Sequence, residues 1–199
     1  MSSFLTGQMM TCLATSNHLA CTECPLHAYR KQVVPGHGSI KANIMLIGEA
    51  PGREEDEQGV PFVGRAGKHL DLLLQQVALN RSQVFLSNIC CCRPPDNDLR
   101  PYVSSTIMCP DLWLEEEIGL VEPLVVVALG LTAARRWFTG LETAHQIANV
   151  VRRLSLDYPS FVVGSYHPSF AIRPGGGKWV DESIIRSLKI ARELSDHIY

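Results

Sequence analysis

The chain has no apolar run long enough to cross a bilayer, since its longest such run covers only residues 124–129. Its first residues also lack the basic segment and following apolar stretch of an export signal. Neither sign of charge is in marked excess: the formal net charge is −2 and the pI is about 6.4. This balance argues against broad electrostatic attraction to nucleic acid but permits a local basic patch. We therefore expect an intracellular, cytoplasmic protein with no membrane partner.

The cysteine pattern does not fit a disulfide framework. Seven cysteines, an odd number, occur in a chain without a secretory signal, which favours metal ligation or free thiols. Cys21 and Cys24 form a C-x2-C pair, and Cys92 and Cys109 follow in separate segments. Four such thiolates can bind either zinc or a four-iron cluster, and their spacing does not separate the two.

One substantial core is expected from 199 residues, of which 46% are hydrophobic. Residues 1–40 lack a sustained apolar period and are predicted to form a loop-rich segment, whereas residues 41–199 form one α/β domain. Strands are predicted at 43–48, 84–88, 124–129 and 161–165, and helices at 67–79, 110–119, 131–138 and 178–198. This alternation predicts a three-layer sandwich: a central, mostly parallel four-stranded sheet with helices on both faces. Three glutamates at 115–117 are interpreted as a solvated helix face.

A glycine-rich, carboxylate-rich stretch, residues 48–67, connects the first of these strands to the first helix. Its five glycines allow the backbone to approach a ligand closely, and an isolated Phe62 lies among its polar residues. An open α/β sheet binds its ligand at this edge, outside the carboxyl ends of the strands. The stretch is therefore predicted to border a binding site.

Polar residues follow three of the predicted strands: Glu49, Asn88 and His167. Each has an ordinary interpretation alone, as a solvated carboxylate, a turn former or a loop histidine. Because parallel strands bring their carboxyl ends to one edge, the three together with the glycine-rich stretch predict a shared site.

Three motifs occur in an order that closely resembles the family 4 uracil-DNA glycosylases. They are GEAPGREEDEQGVPFVGRAG at 48–67, NICCCRPP at 88–95 and YHPS at 166–169. The resemblance spans nearly the whole chain from Cys21 onward. It implies an enzyme that hydrolyses the N-glycosidic bond of deoxyuridine in single- or double-stranded DNA and leaves an abasic site.

The resemblance also implies roles for individual residues. It makes Cys21, Cys24, Cys92 and Cys109 the ligands of a [4Fe-4S] cluster that staples the N-terminal segment, and so selects iron over zinc. Among the three consecutive cysteines, Cys92 is chosen because the sequence Arg-Pro-Pro after it fixes the register. The active-site positions that it implies are Glu49, Ala50, Glu55, Phe62, Asn88 and His167.

The chemistry of the implied reaction suggests a role for each of these positions. His167 would stabilise the departing uracil anion at O2, and Glu49 or Glu55 would position water, because Ala50 stands where better-known uracil glycosylases carry an aspartate. Phe62 would stack on the extruded base, and Asn88 would hydrogen-bond uracil in preference to cytosine. Glu55 or its neighbouring backbone would exclude thymine by bulk.

DNA contacts are expected at Arg65 and along residues 169–178, where Arg173 and Lys178 flank a flexible, partly apolar stretch. We expect a monomer. Two other functions remain open: a module that binds uracil or abasic DNA without cleaving it, and a zinc protein that handles nucleotides. A covalent mechanism would need a histidine on a basic insertion, and none lies between Asn88 and Cys109.

Overall fold

Four parallel strands form the centre of the protein in the computed structural model, which describes residues 11–12, 15–154 and 159–196. Shorter antiparallel strands extend both edges to a seven-stranded mixed sheet with the order β1-β2-β4-β3-β5-β7-β6. The strands are β1 (Thr11–Cys12), β2 (His37–Gly38), β3 (Ile44–Gly48), β4 (Val84–Asn88), β5 (Val125–Leu129), β6 (Val151–Arg153) and β7 (Phe161–Ser165). The parallel pairs are β3 with β4, β3 with β5, and β5 with β7.

The central strands bury both faces, so their sequences are continuously apolar instead of alternating. In β3, Met45 and Ile47 enter one hydrophobic core, and Ile44 and Leu46 enter the other. Two separate cores on opposite faces of one sheet mean that helices cover both sides. The predicted α/β class is therefore confirmed.

Helices of very different length provide this cover. They are α1 (Ser16–Leu19), α2 (Arg53–Gln58), α3 (Arg65–Gln76), α4 (Ser105–Cys109), α5 (Glu115–Val121), α6 (Leu131–Ala134), α7 (Ala144–Ile147), α8 (Pro168–Ala171) and α9 (Lys178–Asp196). Helices α3 and α9 bury apolar stripes at helical spacing on one face, whereas α5 and α6 pack on the other. Short 3₁₀ turns occupy Pro25–Ala28, Arg81–Gln83, Pro95–Asn97 and Arg100–Tyr102. None of the helices within the described ranges is long and apolar enough to span a membrane.

The predicted count of four strands is wrong, because the sheet has seven strands within the residues that the structure describes. The missed strands β1, β2 and β6 have two or three residues, which is too short for an apolar period to appear. The stretch at 48–67 is also not all loop, since it contains α2. The helix predicted at 110–119 begins earlier, at Ser105, and passes Pro110 through the π-helical turn Pro110–Leu114. The wider π-helical turn accommodates Pro110, which has no backbone N–H to donate to the preceding turn.

Glu117 corrects the interpretation of residues 115–117 as a solvated face. Its side chain is buried at 2% exposure and accepts hydrogen bonds from the Gly36 N–H at 2.6 Å and from the Ser87 hydroxyl. Burial raises its pKa to about 7 despite those two donors. Glu117 therefore links the segment before β2 to strand β4 through these two hydrogen bonds.

Candidate active site

A cleft of about 680 Å³ opens at the carboxyl ends of the central strands. Most of the residues predicted for the site line it, namely Glu49, Ala50, Glu55, Phe62, Arg65, Asn88, His167 and Arg173. Lys178 does not line it; its exposed amine lies 3.8 Å from Glu182 on the next turn of α9. The sheet thus brings together side chains that are more than a hundred residues apart in the sequence.

Phe62 and Asn88 meet over a glycine. Gly48 ends β3 and pairs in register with Asn88 at the end of β4. A Cβ at Gly48 would lie 2.5 Å from Asn88 Oδ1 and 2.6 Å from Phe62 Cζ. Asn88 is 4% exposed, and its amide makes no hydrogen bond to any part of the chain that the structure describes. The free edge of a buried amide is therefore available to a ligand in the cleft.

The backbone of Phe62 is held in an unusual conformation. Its φ of 56° is left-handed, which is rare for an aromatic residue. Gly67 allows this, because a Cβ there would lie 1.8 Å from the Phe62 carbonyl oxygen. Arg81 donates to the carbonyl oxygens of Pro61 and Phe62, and Asp71 accepts from Arg81 Nε at 2.7 Å. These contacts fix where the aromatic ring stands.

His167 caps the short helix α8. Its Nδ1 accepts the Ser169 backbone N–H at 3.1 Å, and the Ser169 hydroxyl lies 2.8 Å from the same nitrogen. Burial, assisted by the positive charge of Arg173, lowers the pKa of His167 to about 4. The imidazole is therefore neutral near pH 7, and because Nδ1 accepts, its proton lies on Nε2.

The two acidic residues of the site differ in their hydrogen bonds and in their exposure to the cleft. Glu55 is buried, and both of its oxygens accept backbone N–H groups, from Gly52 at 3.0 Å and Gly64 at 2.8 Å. Burial raises the pKa of the Glu49 carboxyl, while the Thr132 hydroxyl and Arg173 act in the opposite direction. Glu55 thus holds the loop closed on itself. Glu49 instead faces the cleft, and the pKa of its carboxyl group is raised.

Sequence reasoning missed Arg81 and Thr132, and it assigned Ser169 only to the segment expected to contact DNA. Thr132 follows β5, so the rule applied to the other strand ends would have found it. Ser169 acts through its backbone N–H, and Arg81 through carbonyl oxygens about twenty residues away, which leave no pattern in the sequence.

The four predicted metal ligands line a second cavity, beneath α1 and beside the turn that follows α4. Cys21, Cys24, Cys92 and Cys109 all face it as free thiols. Three donors point at their sulfur atoms: Trp113 Nε1 to Cys21 at 3.3 Å, Arg30 Nη1 to Cys92 at 3.4 Å, and the Cys91 N–H to Cys109 at 3.3 Å. Such donors suit sulfur atoms that carry negative charge. Among the described residues, no three metal-binding side chains converge tightly enough to hold a single metal ion.

Comparisons with known proteins agree with this geometry. The family model described as the Uracil DNA glycosylase superfamily matches residues 35–189. The "Type-4 uracil-DNA glycosylase" of Thermotoga maritima is 38% identical over 77% of this chain and 78% of its own. The protein of that name from Sulfurisphaera tokodaii is 35% identical over 86% of this chain and 81% of its own.

A third relative of the same name, from Pyrobaculum aerophilum, is 44% identical over 58% of each chain. In that comparison the chain spans little more than half the length of the relative. The matched family model covers more than half of the present chain, including every residue described above in the cleft. The chain therefore belongs to the uracil-DNA glycosylase superfamily and, within it, to the type-4 uracil-DNA glycosylases.

Proposed function

We propose that this protein, a uracil-DNA glycosylase by its family, flips uracil out of DNA and hydrolyses its N-glycosidic bond in the cleft lined by Phe62, Asn88 and His167. The observation that carries the mechanism is their common position around one cavity, although they come from three separate parts of the chain. The enzyme leaves an abasic site and takes part in DNA repair by base excision.

Phe62 receives the extruded base. Leaving the duplex costs a few kcal/mol, less at a mismatch or in a single strand. Stacking on the phenyl ring returns about 1–3 kcal/mol but does not distinguish one base from another. Because Arg81 and Gly67 hold the residue in place, the ring is oriented before the base arrives.

Asn88 selects the base. Its amide N–H can donate to uracil O4 and its oxygen can accept from N3–H, while cytosine presents the opposite polarity at both atoms. The absence of competing partners for this amide among the described residues supports that role. A mismatched pair of buried hydrogen bonds disfavours cytosine strongly. Thymine is excluded by the bulk of its extra methyl group against the loop that Glu55 holds closed.

His167 stabilises the leaving group. As the glycosidic bond breaks, the sugar gains positive charge and uracil gains negative charge at O2. A neutral imidazole whose proton is on Nε2 can donate to that oxygen, and it needs no reorganisation because the Ser169 N–H already fixes Nδ1 as the acceptor. His167 is thus the main electrostatic catalyst.

Glu49 positions the water that attacks the sugar. No carboxylate is available at Ala50, and both oxygens of Glu55 are occupied by backbone N–H groups. Glu49 faces the cleft; burial raises the pKa of its carboxyl group, and the Thr132 hydroxyl and Arg173 oppose that rise. The geometry therefore supports Glu49 for the catalytic role and Glu55 as the residue that shapes the pocket.

Arg65 and Arg173 contact DNA at the rim of the cleft, where both are exposed. Lys178 lies outside the cleft and contacts the DNA backbone at a greater distance from the flipped base. The protein acts as a monomer on single- or double-stranded DNA that contains uracil.

Cys21, Cys24, Cys92 and Cys109 hold a [4Fe-4S] cluster. Four free thiols around one cavity suit either zinc or a four-iron cluster, and the similarity to the type-4 uracil-DNA glycosylases favours the cluster. The bound cluster supplies a cross-link between residues 1–40, the segment that carries Cys21 and Cys24, and the domain formed by residues 41–199. It thereby adds to the burial that the segment already achieves through Leu26, Val33 and Val34.

The test is release of free uracil from an oligonucleotide, followed by alkaline cleavage at the abasic site. The wild type should release uracil and the His167→Ala variant should be slower by about 10²–10³-fold, the usual cost of removing such a donor. Ser169→Ala removes the hydroxyl 2.8 Å from Nδ1 but keeps the backbone N–H that fixes Nδ1, so it should lose far less activity than His167→Ala. Binding of uracil DNA without release by the wild type would favour the non-catalytic module instead.

A further inference from the structure

Three cysteines in a row, Cys90, Cys91 and Cys92, follow strand β4, and the structure separates their roles. The Cys90 thiol is not part of the cavity lining; it points to the Ser105 carbonyl oxygen at 3.5 Å and also interacts with the Cys109 thiol. Both Cys91 and Cys92 line the cavity that the predicted metal ligands share. The cavity is therefore bordered by five thiols, one more than a four-cysteine cluster uses.

The position of Cys91 is fixed on both sides. Its backbone N–H donates to Cys109 Sγ at 3.3 Å, and its carbonyl oxygen accepts the Val34 N–H at 2.8 Å. The side chain is 4% exposed and belongs to the core cluster that contains Cys24, Cys92 and Cys109. A thiol held in this way needs only a side-chain rotation, with no displacement of the backbone, to approach a group bound in the cavity.

Cys92 is held differently. Arg30 donates to its sulfur at 3.4 Å and to the Cys21 carbonyl oxygen at 2.7 Å. One guanidinium thus contacts the Cys92 sulfur and ties it to the Cys21 segment. No comparable cation contacts Cys91 within the described residues, so Cys92 is the preferred ligand when both are free.

We propose that Cys91 is a reserve ligand for the iron atom otherwise bound by Cys92. The inference rests on the proposed [4Fe-4S] cluster. In the exchange, the Fe–S bond to Cys92 breaks and a new Fe–S bond forms to Cys91. The Cys91 thiol releases its proton, and the freed Cys92 thiolate takes one up, so that charge and oxidation state do not change. The cluster therefore survives loss or modification of Cys92.

Single-ligand variants purified without oxygen test this by their iron and acid-labile sulfide per chain. Cys92→Ser should keep most of the wild-type iron, whereas Cys21→Ser, which has no spare thiol next to it, should lose it. The double variant Cys91→Ser with Cys92→Ser should contain about tenfold less iron than Cys92→Ser alone. Cys90→Ser is the control for removal of a neighbouring thiol that does not line the cavity, and it should keep the wild-type iron content.

Equal loss of iron in Cys92→Ser and Cys21→Ser would overturn the proposal. If Cys92→Ser does not fold, the single variant Cys91→Ser decides, because it keeps all four preferred ligands. It should release iron to a chelator roughly tenfold faster than wild type, and an unchanged rate would contradict a reserve role. A wild type without iron or sulfide would instead refute the cluster itself, so the two failures are distinguishable.

Discussion

The phenyl ring of Phe62 and the imidazole of His167 face each other across the cleft, with centroids 6.2 Å apart and planes inclined by 26°. One ring comes from the loop after β3 and the other from the turn after β7, at opposite ends of the domain sequence. The two rings that the proposed mechanism assigns to base stacking and to the leaving group therefore border the same cleft.

Replacement of Gly48 by alanine should reduce uracil excision far more than it reduces stability. The new Cβ would meet both the Asn88 amide and the Phe62 ring, so the two side chains proposed to bind the base must move apart. We expect a loss of activity of at least the size of one lost stacking contact, about 1–3 kcal/mol in kcat/KM. Steady-state kinetics and thermal unfolding of the variant measure the two effects.

Gly119→Ala is the matched control for this change. Gly119 lies in α5, and a Cβ there meets nothing within 4 Å. Since alanine favours a helix by about 1 kcal/mol over glycine, this variant should be slightly more stable and fully active. Equal activity of Gly48→Ala and Gly119→Ala would remove the argument that close packing over Gly48 positions the site.

Arg81 should act as a positioning residue through Phe62. In Arg81→Lys the planar fork that reaches two carbonyl oxygens is lost, so the left-handed conformation of Phe62 is held less firmly. We expect lower kcat/KM in Arg81→Lys but no further loss when Phe62 is already alanine. A double-mutant cycle measures this coupling, and additive effects of the two substitutions would show that Arg81 acts elsewhere.

The pH dependence of excision should report Glu49 and not His167. The raised pKa of Glu49 means that its carboxylate is protonated at a higher pH than usual, so activity should fall on the acidic side. His167, with a pKa of about 4, stays neutral through that range. Glu49→Gln should be slower at neutral pH and should lack this decline. If activity falls at acidic pH in Glu49→Gln as it does in the wild type, another group causes that decline.

Glu117 should make the fold less stable as the pH rises. Its carboxyl binds a proton up to a pKa of about 7 in the folded state, whereas an unfolded glutamate releases it near 4.5. Between these values the folded state holds more protons, so stability declines with increasing pH. Urea unfolding from pH 5 to 8 should show this decline in wild type and in the exposed control Glu116→Gln, but not in Glu117→Gln. A parallel decline in Glu117→Gln would refute the assignment.

The sequence predicts what depends on apolar runs and on the residues next to them. Strands β3, β4, β5 and β7 were recognisable as short buried runs, and Glu49, Asn88 and His167 followed from the ends of those strands. The four cysteines selected from the sequence likewise line one cavity. These features are local, and the parallel sheet then determines which of them meet.

What the sequence conceals depends on contacts between distant segments. Glu117 looks solvated among its neighbours, but its burial is set by Gly36, which is 81 residues away, and by Ser87. Glu55 looks like a free catalytic carboxylate until both of its oxygens are seen to bind the loop backbone. The edge strands are equally hidden, because backbone pairing alone defines them.

A crystal structure of the protein with free uracil tests the central claim most directly, because it locates the base relative to Phe62, Asn88 and His167 together. We predict that the ring stacks on Phe62, with O4 and N3 facing the Asn88 amide and O2 within hydrogen-bond distance of His167 Nε2. Uracil bound outside this cleft, or with O2 turned away from His167, would contradict the account.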